Sequence, residues 1–187
     1  MKIIDVGLMA NHIPAHKGII SRLELYSQSV SNGQLLTIFQ KQIGMMKNHV
    51  QVMNQLLNPN QQLQVAVPPI PNNSTGYYNQ PKGNIGIEEK DMLFDAHFTA
   101  VSMANENFMS ASNMKAPLVK RAHIEMGLQQ NDIANQFEML AEQLGWSTNH
   151  PNATVMEQNQ VMSPIPNPQA YMNMQNQFNT QNIQNKH

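Results

Sequence analysis

Apolar residues recur every three to four positions along four stretches of the chain, the period of an α-helix with one buried face. The first predicted helix runs from about Pro14 to Ser31. Its stripe is Ile19, Ile20, Leu23, Tyr26 and Val30, with His16 on the same line. Pro14 suits a first turn, where no N–H donor is needed, and Asn32-Gly33 supplies a stop and a tight turn. The second runs from about Gln34 to Leu57 on Leu35, Leu36, Phe39, Ile43, Met46, Val50, Met53 and Leu56, and Asn58-Pro59 ends it. The third runs from about Glu88 to Ala111. Glu88, Glu89 and Asp91 favour the positive end of its dipole. Its stripe is Leu93, Ala96, His97, Ala100, Val101, Ala104 and Phe108. The fourth runs from about Ala116 to Leu144 on Leu118, Val119, Ala122, Met126, Gln129, Ile133, Phe137 and Leu140. Gly145 should stop it, and Trp146 should fold back onto the end of the helices.

These elements divide the chain into a first helical hairpin over 8–57, a Pro/Asn-rich crossover linker over 58–86, a second hairpin over 87–146 and a tail over 147–187. The hairpins share sequence. A shift of 81 lays Ala15-His16 on Ala96-His97, and a shift of 83 lays Gly44, Asn48 and His49 on Gly127, Asn131 and Asp132. One hairpin cannot cover its own apolar face, whereas two can. The expectation is all-α: a duplicated hairpin closing into a four-helix bundle whose linker crosses from one end to the other. The tail, dense in Asn, Gln and Met with several prolines, reads as disordered in isolation.

Composition narrows the function. Charged residues make up 12% of the 187 and the net charge is −1, which argues against a nucleic-acid binder with a basic stripe. There is no Cys, so disulfides and thiolate metal sites are excluded. Asp5 interrupts the opening MKIIDVGLM where a signal peptide needs its apolar run, so no secretory leader is expected. No stretch is long and apolar enough to span a membrane. Met is abundant, at 15 residues, and reads as adaptable core and interface filling.

The candidate chemistry is thin. There is no phosphate loop, nucleophile elbow or H-E-x-x-H, so no catalytic or cofactor-binding residue is assigned. Di-iron bundles draw one Glu from each of two helices and Glu-x-x-His from the other two. The corresponding places here read Met46-Lys47-Asn48-His49 and Gln129-Gln130-Asn131-Asp132, without the glutamates. A single-metal site would have to come from His16, His49, His97 and Asp132 meeting in one layer. An inward His is more often a hydrogen-bonded core residue, so no metal and no cofactor is expected. His12 and His123 are expected at the surface, and Glu24 and Glu106 toward the polar faces.

The segments EEKDMLFDAHFTAVSMANENFMSASN and LVKRAHIEMGLQQNDIANQFEMLAEQLGW carry a resemblance. They resemble the coat F family of spore coat proteins: an acidic opening from Asp91 to Phe108, then a Gln/Glu-rich closing helix from Gln129 to Gly145-Trp146. The likeness is good over 86–146, weaker over 8–57, and does not cover the linker or tail. It implies a ferritin-like bundle, made in the mother-cell cytoplasm and deposited in the spore coat. Its partners would be other coat proteins or further copies of itself, with no nucleic acid and no membrane span. Gln129 and Asp132 depart from the Glu and His of the family pattern, which leaves the structural role and removes the support for metal chemistry. The leading expectation is a structural, non-enzymatic coat component that assembles through its helical bundle and an adhesive Asn/Gln/Met-rich tail. The alternatives are a ferritin-like metal-binding or redox-protective protein and an adaptor whose groove takes a partner helix.

Overall fold

The computed structural model describes residues 1–60, 65–72, 83, 85–148 and 150–162. Among them every regular element is a helix: α1 Ile3–Ser29, α2 Gly33–Leu57, α3 Glu89–Asn113, α4 Pro117–Gln143 and α5 Val155–Val161. The chain divides into two units, 1–148 and 149–187.

Within the first unit, α1 pairs with α2 and α3 with α4 through short turns. The hairpins join antiparallel. Tyr26 Oη donates to Asp95 at 3.1 Å, Arg22 reaches Thr99 at 2.6 Å, and His12 meets Ser110 at 2.9 Å, so α1 rises as α3 descends. On the other side Phe39 packs on Phe137 with ring centres 5.7 Å apart, and Lys41 donates to Gln136. The end of α2 and the start of α3 therefore lie at opposite ends of the helices, and the linker has to travel between them. Its described part does so. Val65 and Val67 pack near Leu56, Pro68 O accepts from Gln129 Nε2 at 2.8 Å, and Ile70 and Ile85 cover the far core. Pro71 passes so close over α2 that a Cβ on Gly44 would sit 3.0 Å from its ring. A side chain there would push the linker away.

Three helices begin and end within a few residues of expectation; α1 does not. It starts at Ile3 and carries Pro14 inside. Proline removes one N–H bond, the one to the Ala10 carbonyl, and is disfavoured in helix interiors. Here the preceding turns are held by tertiary packing, with Asp5, Met9 and His12 all buried. Asp5 is the anchor. Its carboxylate accepts from Lys2 N at 2.7 Å, from Lys115 N at 2.7 Å and from Ala116 N at 3.3 Å, so one side chain satisfies amides before α1 and before α4. Burial pushes its pKa up, but the three backbone donors outweigh that and hold it below the ordinary carboxylate value.

The two hairpins match in burial and in their ends in a register other than the one their identities suggest. One shift of 84 carries Val30, after α1, onto Met114 after α3, and Gly33, opening α2, onto Pro117 opening α4. It also lays buried Met9, Ile20, Leu23 and Tyr26 on buried Leu93, Ala104, Asn107 and Ser110. The two turns thus have equal length, and the shifts of 81 and 83 do not hold. Identities among small and polar residues can slide by about one turn and still match. Burial cannot, because it is fixed by which face meets the core.

α4 ends as expected. Trp146 N bonds Ala141 O at 2.8 Å and Gly145 N bonds Glu142 O at 3.0 Å, with Gly145 at φ 68°. This is the paired end-cap that needs a left-handed residue, and Trp146 then packs on the core. The second unit contributes α5, opened by Thr154 and Glu157, which cap each other's backbone. The sequence reads this stretch as disordered. The rest of that expectation, over 163–187, lies outside the described residues.

Replacing Asp5 by Ala takes the acceptor from three partly buried backbone amides, at a cost of about 2–4 kcal/mol. Urea unfolding of Asp5→Ala should show that loss. A change below about 1 kcal/mol would mean that water replaces the carboxylate freely and that Asp5 does not anchor the N-terminal turns.

Candidate functional site: a buried histidine layer

The core is divided in two. One apolar cluster holds Leu23, Tyr26, Phe39, Met46, Leu93, Ala100, Ile133 and Phe137 with their neighbours. The other, at the opposite end, holds Met9, Val52, Met53, Leu56, Met114, Val119, Ala122 and Met126. Where they meet, and reaching into the second, lie polar side chains that are nonetheless buried: His12, His16, His49 and His123.

Helix geometry places the four rings. His12 and His16 stand one turn apart on the inner face of α1, with Met9 before and Ile20 after. His49 lies between Met46 and Met53 on α2, and His123 between Val119 and Met126 on α4. The rings touch in a chain. His49 and His16 have centres 5.6 Å apart, His16 and His12 6.1 Å, and His12 and His123 5.3 Å. His16, His49 and His123 are 0% exposed and His12 is 7% exposed.

Hydrogen bonds fix the proton on three of these rings. His16 Nδ1 lies 2.9 Å from His12 O, and His123 Nδ1 lies 3.0 Å from Val119 O. A carbonyl only accepts, so each Nδ1 carries the hydrogen and each Nε2 a lone pair. Gln129 donates its amide N–H to Pro68 O, which turns its Oε1 toward His49 Nε2 at 2.8 Å. His49 therefore donates through Nε2 and keeps its lone pair on Nδ1. His12 Nε2 meets Ser110 Oγ, which accepts or donates. The other nitrogen of each ring, His12 Nδ1, His16 Nε2, His49 Nδ1 and His123 Nε2, is buried without a hydrogen-bond partner.

Burial in this setting disfavours the charged ring. It pulls His16 down to about 3, helped by His49 nearby. It pulls His49 down to about 4 against the bond to Gln129, and His123 to about 4 against the Val119 carbonyl. His12 is lowered as well, with the Glu106 carboxylate partly opposing burial. All four are neutral at physiological pH, and at least three present a free lone pair.

Of the four residues that the sequence offered as ligands, the structure brings together His16 and His49. His97 is half-buried on α3 outside the ring chain, and Asp132 is exposed on α4. His12 and His123 are not at the surface, which corrects that expectation. Pro14 conceals His12, because the proline signals a helix start while α1 begins well before it; His12 lies four residues before His16, hence on the same face. His123 lies four after Val119 and three before Met126, a spacing that marks it as inward. Glu24 pairs with Lys47 at 2.7 Å and Glu106 is exposed, as expected. No protein-family model matches the chain, and no curated protein or solved structure matches it.

The depressed pKa values set a pH dependence. Below about pH 6.5 the unfolded chain protonates its imidazoles while the folded rings stay neutral down to about 3–4. Protons therefore favour the unfolded state, and stability is full above pH 6.5 and falls as the pH drops toward 4. Each ring contributes a slope of up to about 1.4 kcal/mol per pH unit. Chemical unfolding in chelator-containing buffer should show the decline between pH 7 and 5, and His123→Phe should make it shallower. An unchanged midpoint over that range would show that the rings are hydrated or charged in the folded protein.

Proposed function

We propose that this chain is a structural, non-enzymatic component of the bacterial endospore coat, built as a ferritin-like four-helix bundle that joins other coat proteins or further copies of itself. The bundle reading is supported by two antiparallel hairpins sharing a core and by a linker whose described residues pack on both apolar clusters. The resemblance of residues 86–146 supports the family. The observation that carries the assembly role is on the outer surface. Phe98 is 71% exposed, Met109 68%, Met139 59% and Leu128 54%, on two helices whose inner faces are already packed. Large apolar side chains left on the outside of a folded body suit contact with other proteins. The low charge of the chain removes repulsion that would oppose dense packing. Among the described residues no helix is long and apolar enough to cross a membrane.

The second reading, a ferritin-like protein that binds metal or protects against oxidants, is favoured by the histidine layer. A coat component needs a stable body and does not need four neutral imidazoles inside it.

A fluorescent fusion expressed in sporulating cells separates the readings. The coat role predicts a ring around the forespore that persists on the released spore. An even cytoplasmic signal throughout sporulation would sink it.

A further inference from the structure

We propose that His12, His16, His49 and His123 together bind one transition-metal cation of the borderline class, with Zn2+ the ion that fits best. The donor set is the first ground. Four rings from three helices are linked ring to ring, and each has one buried nitrogen without a partner. On His16, His49 and His123 that nitrogen carries the lone pair, because the other is tied to His12 O, Gln129 Oε1 and Val119 O. Ligating imidazoles are commonly held this way, with the distal N–H on a carbonyl that fixes the tautomer and raises the basicity of the donor.

Spacing is the second ground. Four imidazoles on one ion at about 2.0–2.1 Å set their ring centres about 5 Å apart. The neighbouring rings stand 5.3, 5.6 and 6.1 Å apart. Among the described residues no group of three or more His, Asp or Glu stands close enough, as the side chains are placed, to hold a metal ion. These three neighbouring pairs lie about 1 Å or less from that separation, and the rings at the two ends of the ring chain, His49 and His123, have to turn inward before all four can share one ion.

The third ground is internal. The shift of 84 that relates the hairpins lays His12, His16 and His49 on Ala96, Ala100 and Ile133, and lays Phe39 on His123. All four counterparts are buried in the apolar cluster at the other end. The same architecture therefore closes with Ala, Ala, Ile and Phe where no ligand is held. Packing does not demand the histidines, and at least three buried lone pairs without a donor are a cost that a bound cation removes.

The chemistry selects the ion. Neutral nitrogen donors suit Zn2+, Cu2+, Ni2+ and Co2+, whereas Mg2+, Mn2+ and Ca2+ want carboxylate and carbonyl oxygen. No carboxylate belongs to the set. Asp5 and Glu106 act on His123 and His12 only through their fields. This inference stands apart from the coat assignment: a fusion that fails to localise leaves it untouched, and a metal-free protein leaves the coat assignment untouched.

The test uses the full chain, purified without a histidine tag, stripped with chelator and dialysed against Co2+ or Zn2+. The expected result is one equivalent retained, with the intense visible absorption of four-coordinate Co2+ that Zn2+ abolishes. Replacing His49 by Gln should weaken retention by about tenfold or more, while replacing His97 by Gln should leave it unchanged. Because H49Q removes a buried group and risks unfolding, imidazole NMR of the unaltered chain gives an independent reading. Zn2+ should shift the signals of His12, His16, His49 and His123 and leave those of His97 and His150 in place. The proposal is overturned if the folded protein retains no Co2+, if a folded H49Q retains it in full, or if only His97, His150 or His187 respond.

Discussion

The ring N–H groups of His16 and His123 are tied to carbonyls one turn back, and that of His49 to the Gln129 amide. These bonds decide what the middle of the molecule can hold. With the hydrogens committed to the helix walls, the lone pairs are left to the interior, where no donor meets them. A protonated ring would need an anion or water beside it, and among the described residues no carboxylate hydrogen-bonds any of the four rings. The rings are therefore uncharged, and everything packed around them, from Met9 and Met126 at one end to Met46 at the other, has to keep water away.

The linker belongs to the same constraint. Pro68 does not touch a histidine, but its carbonyl orients Gln129, and Gln129 orients His49. A segment that would otherwise only connect two hairpins thereby sets a tautomer in the core. Its passage over Gly44, with no room for a Cβ, holds it at that distance. Asp5 does a corresponding task at the end of α1. By capping amides of two helices it keeps the turn that carries His12 in place, despite Pro14 two residues further on.

Much of the helix order was legible in the sequence, because Leu35, Phe39, Ile43 and Met46, or Val119, Ala122 and Met126, repeat at a helical period whatever surrounds them. The start of α1 was not, because Pro14 is a strong local signal and Asp5 a weak one until its distant partners at Lys115 and Ala116 are known. Half of the histidine layer was legible: His16 and His49 fall on apolar stripes. The identities of the repeat point to His97 and Asp132 beside them, and the register of burial sends both elsewhere. His12 and His123 satisfy the same spacing as His16, His12 once α1 is seen to run through Pro14. A buried polar residue is found by its position on the face, not by its type.

The claim beneath all of this is that four imidazoles lie inside the helices, neutral, three of them with a fixed tautomer. Long-range proton–nitrogen NMR correlation of the metal-free protein near pH 6 reads that state directly, since protonated and lone-pair ring nitrogens resonate far apart. The structure predicts His16 and His123 protonated at Nδ1, His49 protonated at Nε2, and a bare nitrogen on every ring. Averaged nitrogens or imidazolium signals at these positions would contradict it.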